Sequence, residues 1–168
     1  MRANEAKTNN GSAEATGSLL LTADMAGLSP ILLPLLALWE KRRETDGLPL
    51  RTAFSPRDLK AWLPGIHVYE AVENQRFTAR LLGTAIVAAI GADQTGRTFG
   101  EHDQDLLASR AYRVLSLVVR DQKPHRTQTP RIAAVKQSWH AAESLWVPLG
   151  ANGRVQQVLA ATILTSLG

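Results

Sequence analysis

The chain has 168 residues, of which 45% are hydrophobic, and its formal net charge is +4. This size suits one domain with a sizeable core, and the absence of cysteine excludes disulfides, thiolate catalysis and cysteine-ligated metal. The richest apolar run, residues 31–39, is short and contains Pro34, so no membrane-spanning helix is expected.

The N-terminal segment, residues 1–28, is rich in Asn, Ala, Gly, Thr and Ser, and this composition predicts a flexible tail. It lacks the apolar block of a secretory signal beside Arg2 and Lys7. We therefore expect a cytoplasmic protein.

Residues 29–64 are predicted to form an N-terminal helix followed by a proline-rich arm. The helix begins between Pro30 and Pro34, because proline is tolerated in a first helical turn. Four apolar side chains share one helical face: Leu32, Leu35, Leu36 and Trp39. This stripe either covers the domain's own core or forms a dimer interface. In the arm, Ser55 is predicted to cap a short helix.

A β-hairpin is predicted next, with strands over 66–72 and 75–82 and a turn near Glu73 and Asn74. Apolar and polar side chains alternate in the second strand, as expected when one face is buried.

A short helix over 85–90 should follow this hairpin. Thr84 can cap its start, and Gly91 can close its end with a positive φ. A further short helix is expected at about 98–102.

The second half of the chain predicts a long helix over 103–122 and then three strands. The helix has an apolar stripe and is stopped by Pro124. Asn152 and Gly153 form a strong hairpin signal between the last two strands. The strands are expected at about 125–134, 139–149 and 155–164.

Several segments in a fixed order carry a family resemblance. They are W-E-K-R-R, L-P-G-I, R-F-T-A-R-L-L-G-T-A-I, G-A-D-Q-T-G-R and V-P-L-G-A-N-G-R-V. Over about residues 30–166 the chain resembles the short bacterial proteins that consist of a single PAS domain. The resemblance implies an α+β fold over 65–168, with a five-stranded antiparallel sheet in the order 2-1-5-4-3, helices on one face and an N-terminal helical extension. It implies a regulatory role and offers no catalytic residues.

The cofactor stays unknown, although two kinds are disfavoured. A cysteinyl-flavin adduct needs a thiol, which the chain lacks. Haem-binding PAS domains usually carry their axial histidine in the long helix, and residues 103–122 contain none.

The four histidines do not show metal-ligand spacing, and the sequence contains neither the G-x-S-x-G motif nor a P-loop motif. We expect neither a metal nor an enzyme.

Four residues are candidates for a ligand site: Arg80, Arg97, Thr84 and His67. Arg80 either pairs with Glu70 or Glu143 on a neighbouring strand or holds an anionic ligand through its planar guanidinium. Arg97 is either a solvated turn cation or a contact at the rim of a pocket. We expect that pocket between the sheet and the short helices.

Trp146 is either a docking residue on the outer face of the sheet or a packed core side chain. Its odd spacing from Trp139 places the two on opposite faces of a regular strand, so one should be core and the other exposed.

Between Arg110 and Lys136, the sequence has seven basic residues and one acidic residue. This cluster is either a solvated face or the site of an anionic partner. Nucleic acid is not expected, because no recognition-helix pattern accompanies the charge.

The function expected is that of a stand-alone PAS sensory or adaptor protein in bacterial signalling or transcriptional regulation. It would act as a homodimer or by docking to a signalling protein, and its ligand could be a small anion. Only residues 165–168 follow the last predicted strand, so no output domain is expected. The alternatives are a small-molecule-binding domain or minor enzyme built on the pocket, and a basic nucleic-acid-binding protein.

Overall fold

In a computed structural model, the described residues are 19–43, 47–133 and 139–166, without the side chains of 130–140. They form seven strands, three α-helices and two 3₁₀ helices, Arg51–Ala53 and Lys60–Gly65. The α-helices are α1 (Leu33–Arg42), α2 (Thr84–Ile90) and α3 (Leu106–Asp121). The strands are β1 (Leu20–Thr22), β2 (Ile66–Val72), β3 (Arg76–Leu82), β4 (Thr98–Phe99), β5 (His125–Ala133), β6 (Trp139–Ala151) and β7 (Arg154–Ser166).

All seven strands lie in one antiparallel sheet, in the order β1-β5-β6-β7-β2-β3-β4. The five central members of this order are the five predicted strands, and their arrangement confirms the expected 2-1-5-4-3 order. The sheet has two more strands than expected, since β1 extends one edge and β4 extends the other.

Two tight hairpin turns set the register of the sheet. Asn152 and Gly153, with φ of 54° and 71°, connect β6 to β7, as predicted. Asn74 and Gln75, with φ of 61° and 54°, connect β2 to β3, so this turn lies one residue later than predicted.

Both faces of the sheet are covered: the N-terminal helical extension lies on one face, and the other helices lie on the opposite face. On one face, Ile66, Val68 and Leu159 share a buried cluster with α1 and with the arm residues Phe54 and Leu59. On the other face, α3 packs over a second cluster: Tyr69, Phe77, Ala79, Trp146, Val158 and Ala160. The arm and α1 therefore share one buried cluster with the sheet.

The apolar stripe of α1 faces this core. Leu32 and Leu35 are 0% exposed and Trp39 is 2% exposed, while Leu36 is partly buried against them. The prediction of a dimer interface at these side chains is wrong, because the chain's own sheet already covers them. The alternative, that the stripe covers the domain's own core, is the one observed.

The tail prediction also needs correction from residue 19 onward. Leu20, Leu21 and Thr22 pair with β5, and Leu28 is buried in the same core as α1. Residues 1–18, the rest of the predicted tail, lie outside the described residues.

The connecting segments differ from the predictions in detail. Gly83, not Thr84, is the N-cap of α2, and Gly91 closes that helix with a φ of 86°, as predicted. A short strand, β4, replaces the helix expected near 98–102, because Phe99 is buried beside β3. In the arm, Ser55 and Asp58 exchange backbone and side-chain hydrogen bonds before the second 3₁₀ helix.

The long helix α3 begins three residues later than predicted. Asp105 is its N-cap, and the carboxylate of Asp105 accepts from the backbone N–H groups of Leu107 and Ala108. None of the helices in the described parts of the chain has the length and apolar character needed to cross a membrane.

Candidate ligand site

A cavity of about 150 Å³ lies between the sheet and the helices α2 and α3. Its helical walls are mostly apolar and include Ile86 and Ile90 from α2 and Leu107 and Ala111 from α3. A smaller cavity of about 60 Å³ adjoins it and shares Tyr69, Ile90, Leu107 and Ala111. The predicted pocket is therefore present, although its second helical wall is α3.

Four hydrogen-bonded side chains cross the floor of the larger cavity. The Tyr69 hydroxyl lies 3.0 Å from Nδ1 of His67, and Nε2 of His67 lies 2.8 Å from Oγ1 of Thr162. The same Thr162 oxygen lies 2.7 Å from Oγ of Ser144. All four residues line the cavity, and we refer to Tyr69, His67, Thr162 and Ser144 as the hydroxyl–imidazole chain.

Strand register explains how the hydroxyl–imidazole chain forms. His67 and Tyr69 are two residues apart in β2, so both face the same side of the sheet. Thr162 in β7 is directly opposite Ser144 in β6, and it is diagonal to His67, whose own partner is Ala160.

Burial keeps the hydroxyl–imidazole chain uncharged. Desolvation lowers the pKa of His67 from 6.5 to about 3 and raises the pKa of Tyr69. A neutral imidazole has one donor and one acceptor nitrogen. The hydrogen bonds can therefore run in either direction, with a free donor at the Tyr69 end or at the Ser144 end.

Trp146 belongs to the floor of this cavity. It is 6% exposed, and its Nε1 donates to Oγ1 of Thr127 over 2.9 Å. Its ring lies edge-on to His67 at 4.9 Å and stacks with Tyr69 at 6.1 Å between centroids. The prediction of Trp146 as a docking residue is wrong, because the ring is buried under α3. The side chain of Trp139 lies outside the described residues.

Arg80 is not at the cavity. Its Nε donates to Oε2 of Glu70, and both side chains are solvent-accessible. This pair is the ion-pair alternative predicted for Arg80. Val68 pairs with Leu81 and Tyr69 with Ala79, so Arg80 is an extra residue in a bulge. Thr84 is exposed at the start of α2 and is not among the residues that line either cavity.

Arg97 lies on the wall of the smaller cavity, where carboxylates neutralise it. Its NH2 group contacts both carboxylate oxygens of Asp103, at 2.7 and 2.8 Å, and its NH1 group contacts Asp105 at 2.9 Å. Its hydrogen bond to Asp105 raises the pKa of Arg97 and lowers that of Asp105. Through its hydrogen bond to Asp105, Arg97 therefore connects the turn before β4 to the N-cap of α3.

Of the four predicted ligand residues, only His67 lies in the larger cavity, and the sequence analysis missed its polar neighbours Tyr69, Ser144 and Thr162. The alternation in β2 could have placed Tyr69 beside His67. Ser144 and Thr162 could be found only with the register of β6 and β7.

The site lacks the groups of two common reaction types. Among the described residues, no three His, Asp or Glu side chains gather as potential metal ligands. Both ring nitrogens of His67 contact hydroxyl groups. In a Ser-His-Asp triad, one of these positions is taken by a carboxylate that orients the histidine, so His67 does not have the partners of a triad histidine.

Comparison with known proteins gave one family. A family model described as a PAS domain matches residues 29–163, which include α1, the arm and the hydroxyl–imidazole chain. Neither the search of curated proteins nor the search of solved structures found a match.

Proposed function

The chain belongs to the PAS domain family, and from this premise we propose that it is a sensory or adaptor protein of bacterial signalling or transcriptional regulation. A small molecule bound in the larger cavity is the signal. The protein acts in the cytoplasm and passes the signal to a separate protein.

The observation that carries this proposal is the hydroxyl–imidazole chain inside a mostly apolar cavity. Burying a polar group costs free energy, and its hydrogen bonds return only a modest net gain. Replacing hydrogen-bonded partners by apolar side chains of the same shape can be neutral or even stabilising, so stability alone does not account for these four side chains. A few converging polar groups in an apolar hollow are typical of sites that bind small ligands.

The helices that wall the cavity can transmit ligand binding to the surface of the protein. Ile90 of α2 and Leu107 of α3 border both cavities, and the Arg97–Asp105 pair holds the first turn of α3 in place. A ligand that displaces these side chains changes the position of α2 and of the start of α3. We propose that a signalling protein, or a second copy of this chain, reads that change at the exposed side of these helices.

Native mass spectrometry of the purified full chain tests the proposal. We expect a fraction of the protein to carry the added mass of one small molecule. Ala111 lines both cavities, so Ala111→Leu should fill them and remove this mass. Ala88→Leu is the matched control, because Ala88 is an exposed helical alanine that lines neither cavity.

The same measurement can contradict the proposal. An added mass that persists in Ala111→Leu would place the ligand elsewhere. A wild-type protein that carries no added mass, and whose melting temperature does not respond to any compound in a metabolite panel, would contradict sensing through this cavity.

A further inference from the structure

We infer that the cavity recognises an uncharged, phenol-sized aromatic molecule whose hydroxyl group joins one end of the hydroxyl–imidazole chain. This inference rests on the proposed function, because it names the class of ligand for the same cavity. It replaces the small anion expected from Arg80 and Arg97, since carboxylates already neutralise both guanidinium groups.

The volume of the cavity limits the size of the ligand. An apolar cavity of about 150 Å³ is large enough to hold benzene, and the larger cavity has a volume of about 150 Å³. The adjoining space of about 60 Å³ beside Tyr69 and Leu107 leaves room for one small substituent. A single ring with one substituent therefore fits in this space.

The floor of the cavity favours an aromatic ring. Three rings lie together there, with centroid distances of 5.4 Å for His67 and Tyr69, 4.9 Å for His67 and Trp146, and 6.1 Å for Tyr69 and Trp146. Aromatic rings attract one another in edge-to-face and offset-stacked arrangements at such distances. An aromatic ligand extends this cluster in a way that an aliphatic ligand cannot.

The hydroxyl–imidazole chain favours a hydroxyl substituent. Whichever way its hydrogen bonds run, one end presents a donor and the other end an acceptor. A hydroxyl group both donates and accepts, so it satisfies either end. A carboxylate only accepts, and burying its charge against a neutral imidazole is costly. A methyl group makes no hydrogen bond.

Titration calorimetry of the full chain at pH 7 with phenol, toluene and benzoate tests this inference. Phenol and toluene have nearly the same shape, so their difference reports the hydroxyl group. We expect phenol to bind about 3- to 10-fold more tightly than toluene, the range expected for one net hydrogen bond. Benzoate should bind more weakly than phenol. Arg110 on α3 also borders the cavity, so benzoate tests whether this cation attracts an anion instead.

Two variants test whether the hydroxyl–imidazole chain causes this preference. The double variant Tyr69→Phe/Ser144→Ala removes the hydroxyl at each end of the chain, so phenol and toluene should bind it with about the same affinity. Thr129→Val changes a threonine that lines the same cavity, outside the hydroxyl–imidazole chain, and should retain the preference. Unchanged toluene affinity in both variants shows that the cavity is intact.

The outcomes separate this inference from the proposed function. Equal affinity for phenol and toluene, or tighter binding of benzoate, overturns the inference and leaves the cavity as a ligand site. An unchanged phenol preference in Tyr69→Phe/Ser144→Ala also overturns it. If none of the three compounds binds, the inference fails, and the proposed function fails as well only if native mass spectrometry finds no cavity-dependent mass.

Discussion

The indole nitrogen of Trp39 donates a hydrogen bond to the carbonyl oxygen of Pro148 over 2.8 Å in the buried core. This contact joins α1 to β6, across 109 positions of the sequence. With Leu32 and Leu35 buried beside it, the N-terminal helix is part of the domain that contains the cavity. The sheet face opposite the cavity is therefore closed by the chain itself.

Leu35→Ala should destabilise the protein strongly, since Leu35 is 0% exposed. Removing a buried leucine side chain leaves a cavity and costs about 2–5 kcal/mol. Leu33→Ala on the same helix is the matched control, because Leu33 is 46% exposed, and its change should stay below about 1 kcal/mol. Urea unfolding measures both. Equal stability of the two variants, with a lower mass for Leu35→Ala in light scattering, would instead support a helix that binds a second copy.

Arg97→Met should loosen the start of α3 because it removes the contacts with Asp103 and Asp105. We expect the free energy of unfolding to fall by about 1–2 kcal/mol at pH 7, because the variant loses charge-assisted hydrogen bonds in a partly exposed site. Arg80→Met is the control, since an exposed pair with Glu70 contributes about 0.2–1 kcal/mol. Chemical unfolding compares the two variants, and equal losses would mean that Arg97 does not hold α3.

The effect of Arg97→Met should depend on pH in a defined direction. The hydrogen bond from Arg97 lowers the pKa of Asp105 below its usual 3.8, so the folded state favours the carboxylate. The resulting stability is present above pH 3.8 and is lost as the pH falls through the lower folded value. The difference between wild type and variant should therefore shrink in acid. A difference that stays constant from pH 7 to pH 2.5 would contradict this account.

His67 should make the protein less stable as the pH falls below neutral. Burial lowers its pKa from 6.5 to about 3, so between these values the unfolded chain binds a proton that the folded chain does not. Stability then decreases with falling pH by up to about 1.4 kcal/mol per unit in this window. His67→Leu removes this contribution, and urea unfolding from pH 7 to pH 4 should show a shallower slope for it. Identical slopes would mean that His67 is protonated in the folded protein.

Local signals predicted much of the fold. Gly91 and the pair Asn152 and Gly153 have the positive φ that their turns require, and short-range patterns of this kind need no tertiary information. Periodicity also identified the apolar stripe of α1. It could not say which surface the stripe covers, because a helix buries the same face against its own sheet or against a partner.

The candidate site was harder to predict, because it depends on contacts between distant strands. Thr162 meets Ser144 and His67 only when β7 lies between β6 and β2 in the observed register. The bulge at Arg80 and the two-residue strand β4 depend on pairing that single-strand alternation does not encode. The charges of Arg80 and Arg97 made them candidates in the sequence, whereas the hydroxyl–imidazole chain is uncharged and gave no such signal.

Methyl NMR during a phenol titration tests most directly whether the cavity is a ligand site. Ile86, Ile90 and Leu107 line the cavity, whereas Ile31 and Leu33 are exposed on or beside α1. We predict saturable shifts of the three cavity methyl signals, contacts between phenol protons and these methyl groups, and loss of both in Ala111→Leu. Unchanged cavity signals, or shifts that persist after Ala111→Leu fills the space, would contradict the account.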